Sequence, residues 1–331
     1  MRSYPRTRMR RTRKFPWIRD LVQENSLSVN DLCWATFVIE GKNVIEECPN
    51  FPGVHRYSID QLLIKIEEAV NLGIKAVAIF PVIDGSLKDD LGTEAVNPNQ
   101  LMIRAAQAIK IKFKNQFGLI ADVALDPYTS HGQDGVVDGQ GYVLNDETID
   151  ILTKQACLYS KAGFDVLAPS DMQDGRVLRI RDALEKEGYT ETLILSYAAK
   201  FASKLYGPFR HAVGSSKNLM LKDKLHYQQN IANGNESIEE VRMDIYEGAD
   251  MVMVKPAMMY QDVIKSIKDE FNIPLWAYQV SGEYTMIKNY HSDDKETMAI
   301  MLESLISLKR SGADVIISYA SLEVAKVINK G

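Results

Sequence analysis

Two lysines, each placed at the end of an apolar run, are the residues whose types and spacing could do chemistry. Residues 251–254 (MVMV) predict a strand covered on both faces, and Lys255 follows at once. An ammonium group beside an apolar pocket is poorly solvated, so its pKa falls and the free amine can form a Schiff base with a ketone. For a single lysine, a side chain that reaches solvent from the strand end is the more common alternative.

A second lysine favours the Schiff-base interpretation over a lysine that reaches solvent. Residues 192–200 (TLILSYAAK) again predict a buried strand, with Lys200 just beyond its end. If both strands belong to one barrel, the two amines point into one mouth. Their repulsion then lowers the pKa of at least one of them and favours the neutral, reactive form.

The elements that must position these lysines alternate along the chain. Eight apolar strands begin at residues 35, 76, 118, 165, 192, 250, 274 and 314, and helical patterns such as 59–73 and 296–312 separate them. Gly73, Gly163, Gly248 and Gly312 are predicted to end four of the helices. The pattern predicts one (β/α)8 TIM barrel over residues 31–331. A doubly wound open sheet is the alternative, although no glycine-rich phosphate motif follows the first strand.

Active sites of parallel barrels lie at the carboxyl ends of the strands. Reactive side chains fall at or just after six of the predicted strand ends. They are Asp122, Ser170, Lys200, Lys255, Ser281 and Tyr319. A serine or aspartate after a strand often caps the next helix, but convergence from six strands favours an active site.

Several long motifs carry a resemblance to a known family. They are residues 122–135 (DVALDPYTSHGQDG), 168–176 (APSDMQDGR), 196–210 (SYAAKFASKLYGPFR), 248–260 (GADMVMVKPAMMY) and 277–284 (AYQVSGEY). From about Arg6 to the C-terminus the chain resembles the porphobilinogen synthase (delta-aminolevulinic acid dehydratase) family. The resemblance implies a TIM barrel that condenses two 5-aminolevulinate molecules into porphobilinogen, with loss of two waters, in an early step of tetrapyrrole (heme) biosynthesis.

The resemblance also implies roles for individual residues. Lys255 would capture the first substrate, on the propionate side of the product, and Lys200 the second, on the acetate side. Asp122, Ser170 and Asp174 would take part in catalysis. The substrate-binding candidates are Arg210, Gln228, Ser281, Tyr319 and one of two lysines, Lys222 or Lys224, where family members usually carry an arginine. Residues 201–224 would form a lid that excludes water.

Two places are candidate metal sites, and whether a metal occupies the first of them is left open by the sequence. Zinc-type members carry cysteines where this chain has Ala124, Asp126 and Asp134, and oxygen donors favour Mg²⁺ or K⁺. Asp126 and Asp134 are therefore candidate ligands of a hard cation, with no zinc and no organic cofactor expected. At Glu240 the resemblance implies an allosteric, hydrated Mg²⁺ between subunits. The local alternative is a capping box formed by Ser237 and Glu240.

Composition limits location and partners. The net charge of −5 offers nucleic acid no overall attraction, and three cysteines suit a reducing compartment. Without a membrane span or a signal-peptide core, a cytoplasmic protein is expected. Residues 2–14 contain six arginines and one lysine before the first acidic residue, Asp20. Three interpretations of this segment compete: a transit peptide, a nucleic-acid arm, and an arm that docks on a neighbouring subunit. The resemblance favours the last, in which residues 1–30 form an arm in a homo-octamer.

Two alternative functions, one enzymatic and one not, fit the sequence less well. A class I aldolase-like lyase acting on another keto substrate would need only one Schiff-base lysine, so Lys200 argues against it. A barrel that had lost catalysis and serves as a scaffold would be expected to have lost one of the lysines, and both are present. The sequence therefore favours a condensing enzyme with two Schiff-base lysines.

Overall fold

The computed structural model describes residues 2–214 and 223–330. The strands of this part are β1 (Leu32–Ile39), β2 (Ile45–Glu47), β3 (His55–Tyr57), β4 (Ala76–Val82), β5 (Gly118–Val123), β6 (Val166–Pro169), β7 (Leu193–Lys200), β8 (Met251–Lys255), β9 (Leu275–Tyr278) and β10 (Val315–Ser318). Its α-helices are α1 (Pro16–Leu21), α2 (Ile59–Asn71), α3 (Leu101–Phe113), α4 (Asn145–Ala162), α5 (Arg176–Glu187), α6 (Gly207–Ala212), α7 (Glu236–Tyr246), α8 (Gln261–Glu270), α9 (Ser281–Lys288), α10 (Asp294–Ser311) and α11 (Ser321–Ile328).

Eight of these strands form a closed parallel barrel. The hydrogen-bonded order is β10, β9, β8, β7, β6, β5, β4 and β1, and β1 pairs again with β10, with Leu32 opposite Ile316. At least one helix separates each barrel strand from the next. The predicted (β/α)8 barrel is confirmed. The open-sheet alternative is wrong because an open sheet leaves two edge strands unpaired, and this one closes.

Burial on both faces explains why the barrel strands are continuous apolar runs. Val252, Met253 and Val254 of β8 are fully buried, because side chains fill the barrel interior and helices cover its outside. Gly163 (φ 103°) and Gly312 (φ 119°) cap the carboxyl ends of α4 and α10 in the left-handed conformation. These two glycines confirm the sequence prediction of helix ends that lead directly into strands.

Strand β7 is longer than the sequence indicates. Lys200 was expected just beyond the strand, but it is the last residue of β7. The pairing of β7 with β8 shifts register between Ser196 and Ala199. This irregularity lets the small residues of the run stay in the sheet, so that Lys200 ends level with its neighbour in β8.

The hairpin of β2 and β3 was not predicted. Its two strands are antiparallel, with Ile45 opposite Tyr57, and β3 continues the sheet by pairing in parallel with the last part of β1. With three residues each, these strands are too short to show a clear alternation of polar and apolar residues. They extend the barrel wall at the end where the active site is expected.

The N-terminal segment lies outside the barrel. A 3-10 turn (Met9–Arg13) and α1 contain no buried residue, whereas β1 begins at Leu32. Trp17 and Leu21 are 61% and 75% exposed. That this arm docks on another subunit stays a prediction. Within the described ranges, no helix has both the length and the apolar character needed to cross a bilayer.

Candidate active site

The register of the barrel places Lys200 and Lys255 side by side. The two residues are Cα partners at the carboxyl ends of β7 and β8. Adjacent strands lie about 4.8 Å apart, and both side chains are almost completely buried, with 6% and 7% of each residue exposed. The two amines therefore share one buried space at the mouth of the barrel, as their sequence positions predict.

Aromatic rings surround the amine of Lys255. The distances from its Nζ to the ring centroids are 4.5 Å for Tyr278, 4.9 Å for Tyr197, and 5.4 Å for both Tyr206 and Phe209. Burial, helped by the charge of Lys200, lowers the pKa of Lys255 to about 7, although three nearby carboxylates oppose the shift. A substantial fraction of the amine is thus uncharged near neutral pH, as a Schiff-base nucleophile requires.

Hydrogen-bond acceptors surround the amine of Lys200 instead. It donates to the backbone carbonyl of Ser170 and lies 3.5 Å from Oδ2 of Asp134. The same Oδ2 accepts a hydrogen bond from Nε2 of Gln228 at 3.1 Å. Oδ1 of Asp134 lies 2.6 Å from Nζ of Lys224. Asp134 therefore links three groups that the sequence assigns to the second substrate.

The two candidate metal-ligand aspartates are paired with lysine. Oδ2 of Asp126 lies 3.7 Å from Nζ of Lys224. Burial alone would raise the pKa of Asp134, but the charges of Lys200 and Lys224 hold it well below its usual range. Burial raises the pKa of Asp126 against the opposing charge of Lys224. In residues 2–214 and 223–330, no group of three or more His, Cys, Asp or Glu side chains is arranged to hold a metal ion.

Asp122 lies at the end of β5 within the same group of charges. Burial raises its pKa to about 6, an effect that Asp126 increases and Lys255 opposes. Its Oδ1 is buried and has no hydrogen-bond partner among the described residues. A carboxyl group with a raised pKa and a free acceptor atom can bind a substrate amine or exchange a proton.

Ser170 and Asp174 were both predicted to be catalytic, but they lie in different parts of the structure. Ser170 is buried, and its carbonyl contacts Lys200. Asp174 is exposed. Its backbone amide is bonded to Asn145, and it lines a different pocket with Glu240. Asp174 follows Ser170 by only four residues, but the chain turns outward toward α5 between them, so Asp174 is not among the groups around the lysines.

The side chains predicted to bind the substrate carboxylates differ in whether they already have hydrogen-bond partners. Oγ of Ser281 accepts a hydrogen bond from the Phe209 amide at 3.0 Å, and the hydroxyl of Tyr319 lies 2.9 Å from that of Tyr278. The Arg210 side chain makes no hydrogen bond or ion pair with the part of the chain that the structure describes, so its fork is available to an anion. Lys222 lies outside the described residues, whereas Lys224 is buried in the site.

Glu240 lines a separate pocket of about 440 Å³. Burial raises the pKa of Glu240 to about 7, and the charge of Arg176 opposes this. The expected capping box is wrong: α7 begins at Glu236 with Asn235 as its N-cap, and the Ser237 hydroxyl donates to Gln229. Glu240 therefore has no capping role. Its carboxylate fits an oxygen ligand for a hydrated Mg²⁺.

Sequence reasoning missed the aromatic surroundings of Lys255. Tyr197 lies within β7, while Tyr206 ends a 3-10 helix that follows this strand and Phe209 lies in α6. All three lie in the motif of residues 196–210, but no spacing rule indicates that their rings would converge on a lysine of the next strand. The hydroxyl of Tyr206 also donates to the backbone carbonyl of Lys255 at 3.1 Å.

Fold and site together define a class: a TIM-barrel enzyme with two buried, adjacent lysines able to form Schiff bases. The sequence profile of the delta-aminolevulinic acid dehydratase family matches residues 6–327. The chain belongs to this family, whose members are also called porphobilinogen synthases.

Individual members of the family are similar to this chain over nearly its whole length. The delta-aminolevulinic acid dehydratase of Bradyrhizobium diazoefficiens is 48% identical over 324 residues, which cover 96% of this chain and 90% of that protein. The Chlamydia pneumoniae enzyme is 46% identical, covering 98% and 97%. A crystal structure of the Toxoplasma gondii enzyme with its product porphobilinogen superposes with a TM-score of 0.93 at 43% identity, covering 98% of this chain and 92% of that one.

Proposed function

We propose that this chain condenses two molecules of 5-aminolevulinate to porphobilinogen with loss of two waters. The observation that carries the proposal is the direct pairing of Lys200 with Lys255 in one buried space. The two substrates are identical keto acids, and each needs an amine to capture its ketone. A class I aldolase needs one such lysine, and no feature of this site favours that alternative.

We infer the order in which the two lysines react from their surroundings. Lys255, with its lowered pKa, attacks the ketone of the first substrate and loses water to form an imine. The second substrate reacts in the same way at Lys200. Each protonated imine withdraws electrons and makes the adjacent C–H more acidic, so the carbon–carbon bond can form near neutral pH. The acidified carbon of one substrate attacks the imine carbon of the other, which forms the carbon–carbon bond and leaves that lysine attached as an amine. The amino group of the attacked substrate then adds to the remaining imine carbon and displaces its lysine, and the other lysine leaves with loss of C–H protons as the pyrrole becomes aromatic.

Protons and carboxylates are handled by neighbouring side chains. Asp122, with its unpaired Oδ1, accepts a proton or holds a substrate amine. Asp134 positions Lys200, Lys224 and Gln228 through the contacts of its carboxylate. Arg210, Lys224 and Gln228 bind the carboxylate of the second substrate, while Ser281 and Tyr319 bind that of the first through their hydroxyl groups. Ser281 must then redirect its hydroxyl hydrogen from the Leu205 carbonyl to the substrate.

Borohydride reduction in the presence of 5-aminolevulinate, followed by peptide mapping, tests this function. A reduced adduct on Lys255 is expected at low substrate concentration, and a second on Lys200 as substrate increases. Porphobilinogen formation is followed in parallel. If neither lysine carries an adduct, or if pyrrole formation persists when both are replaced by methionine, the proposal is wrong.

We also propose that Glu240 binds a hydrated, regulatory Mg²⁺, and that no zinc is needed. The support is the family resemblance together with the half-buried carboxylate of Glu240, which has no capping role. In Glu240→Gln, we expect Mg²⁺ to lose its effect on activity and on sedimentation. Glu239→Gln, at an exposed position on the same helix, should respond as the wild type does. Activity lost in a zinc chelator and restored by zinc would contradict the proposal.

The assembly and location are further proposals. We propose a cytoplasmic homo-octamer in which residues 1–30 of each chain embrace a partner subunit. The exposed apolar side chains of the arm, including Trp17 and Leu21, are the structural support, because isolated proteins rarely leave such a segment uncovered. Sedimentation of the chain with and without residues 1–30 tests this: loss of the octamer is expected, and an unchanged octamer would refute the role of the arm.

A further inference from the structure

Helix α6 carries two side chains of the proposed site. Phe209 places its ring 5.4 Å from Nζ of Lys255, and the next residue, Arg210, is proposed to bind the carboxylate of the second substrate. The helix contains only six residues. An isolated helix of this length is unstable in water, so contacts at its two ends must decide where Phe209 and Arg210 lie.

The amino end of α6 is held by α9. The amide of Phe209 donates to Oγ of Ser281 at 3.0 Å, and Oγ of Ser281 in turn donates to the carbonyl of Leu205 at 3.3 Å. This contact uses a residue that is already part of the proposed site. It fixes one end of the helix against the barrel mouth and leaves the other end to be explained.

The carboxyl end of α6 is held by Arg56 of strand β3. Nη2 of Arg56 donates to the carbonyl of His211 at 3.1 Å, and its Nε donates to the carbonyl of Ala212 at 2.8 Å. The last carbonyls of a helix have no partner within the helix and carry partial negative charge, so a guanidinium satisfies both needs. Nζ of Lys88 lies 3.4 Å from the next carbonyl, that of Val213.

Arg56 is itself fixed in position. Its Nη1 lies 2.6 Å from Oε1 of Glu46, the residue directly opposite in the β2–β3 hairpin. The Arg56 side chain is only 11% exposed, and residue 56 pairs with Phe37 of the barrel strand β1. Three nitrogens of one planar group thus join the hairpin to the helix, a geometry that lysine cannot reproduce, and strand pairing joins Arg56 to the barrel wall.

We propose that Arg56 is a positioning residue, and that the β2–β3 hairpin acts through it to hold Phe209 and Arg210 over the two lysines. The inference rests on the proposed function, since it assigns Arg210 to the carboxylate of the second substrate. No lining residue of the lysine site identified above comes from this hairpin, so its effect on catalysis passes through α6. Glu46 contributes by orienting the guanidinium.

The test compares Arg56→Gln, Arg56→Lys and Glu46→Gln with the matched control Arg179→Gln. Arg179 is an ion-paired arginine that joins α5 to Asp150 of α4 on the outside of the barrel. In Arg56→Gln, we expect KM for 5-aminolevulinate to rise about tenfold or more, the effect of losing a charge-assisted hydrogen bond, with a smaller change in kcat. Arg56→Lys should recover part of the loss, and Glu46→Gln should raise KM about threefold.

Hydrogen exchange supplies a readout that a general loss of stability would not give. In Arg56→Gln, amide exchange in residues 207–214 should accelerate while the barrel strands exchange as in the wild type. If KM and exchange in Arg56→Gln match those of Arg179→Gln, the inference is overturned. It is also overturned if exchange accelerates equally throughout the barrel. Failure of the wild type to make porphobilinogen would instead refute the proposed function, and the exchange comparison would still test the contact between Arg56 and α6.

Discussion

The two lysines of the barrel mouth are neighbours in the sheet but lie in opposite surroundings. Lys255 faces four aromatic rings, whereas Lys200 contacts the carbonyl of Ser170 and the carboxylate of Asp134. The ring of Tyr197 lies near both amines, 5.9 Å from that of Lys200 and 4.9 Å from that of Lys255. One lysine is thus prepared by desolvation and the other by polar contacts, so identical substrates can be given different roles.

Tyr197 and Tyr278 belong to barrel strands, and the rest of the difference comes from the segments that follow the strands. Residues after β7 fold back as α6 and bring Tyr206 and Phe209 to the Lys255 side. The long connection between β5 and α4 brings Asp126 and Asp134 to the Lys200 side. A symmetrical barrel thereby acquires an asymmetrical mouth, which an asymmetric condensation of two identical molecules requires.

Removing either amine should cause the largest loss of turnover, and the two variants should differ in the adduct that they still form. Lys255→Met keeps the length of the side chain but removes the nucleophile, and we expect turnover to fall ~10⁴-fold or more. Lys200→Met should lose turnover to a similar extent, yet still form a reducible adduct on Lys255. Porphobilinogen assays and borohydride trapping measure the two outcomes.

The control for these variants is Lys161→Met, at an exposed position on α4, which should keep wild-type turnover. An adduct on Lys255 that disappears in Lys200→Met would show that the first capture needs both amines. The assigned order of the two lysines would then be wrong.

Asp134→Asn should reduce turnover by an intermediate amount and should affect the surroundings of Lys200 more than those of Lys255. The carboxylate of Asp134 contacts Lys200, Lys224 and Gln228. Within the described residues it makes no hydrogen bond or ion pair with Lys255, on which its charge acts only from a distance. We expect turnover to fall ~100-fold, because the charge-assisted contacts that position Lys200 and Lys224 are lost together. Adduct formation on Lys255 should change little. Asp138→Asn, in the same connection, is a comparison variant, and an equal loss of the Lys255 adduct in Asp134→Asn would contradict the separation of the two environments.

The sequence was sufficient for the barrel and for the pair of lysines, and the reasons are physical. Strands buried on both faces must be apolar throughout, so each barrel strand was visible, and a charge at the end of such a run was conspicuous. Asp174 was misplaced because proximity in sequence to Ser170 does not determine the direction of the chain after the strand. The hairpin holding Arg56 and the rings of Tyr206 and Phe209 depend on contacts between distant segments, which leave no periodic pattern.

The smallest expected effect concerns the pH dependence of Lys255. Its pKa is lowered to about 7, so below that pH the amine is increasingly protonated and cannot attack. The rate of adduct formation should therefore fall about tenfold per pH unit on the acid side. Phe209→Ala admits water to the amine, which stabilises the ammonium form and moves this midpoint to higher pH. We expect about one pH unit, equivalent to about 1.4 kcal/mol in the solvation of the amine.

Tyr278→Phe provides the contrast within the same ring of aromatic residues. This change keeps the ring beside Lys255 and removes the hydroxyl that contacts Tyr319, so the midpoint should stay in place even if substrate binding weakens. Rapid-quench borohydride trapping between pH 5.5 and 8.5, a range of about 1.5 units on either side of the expected midpoint, resolves both outcomes. A midpoint that moves equally in both variants would mean that polar contacts, and not desolvation by the rings, set the reactivity of Lys255, and the contrast with Lys200 would fail.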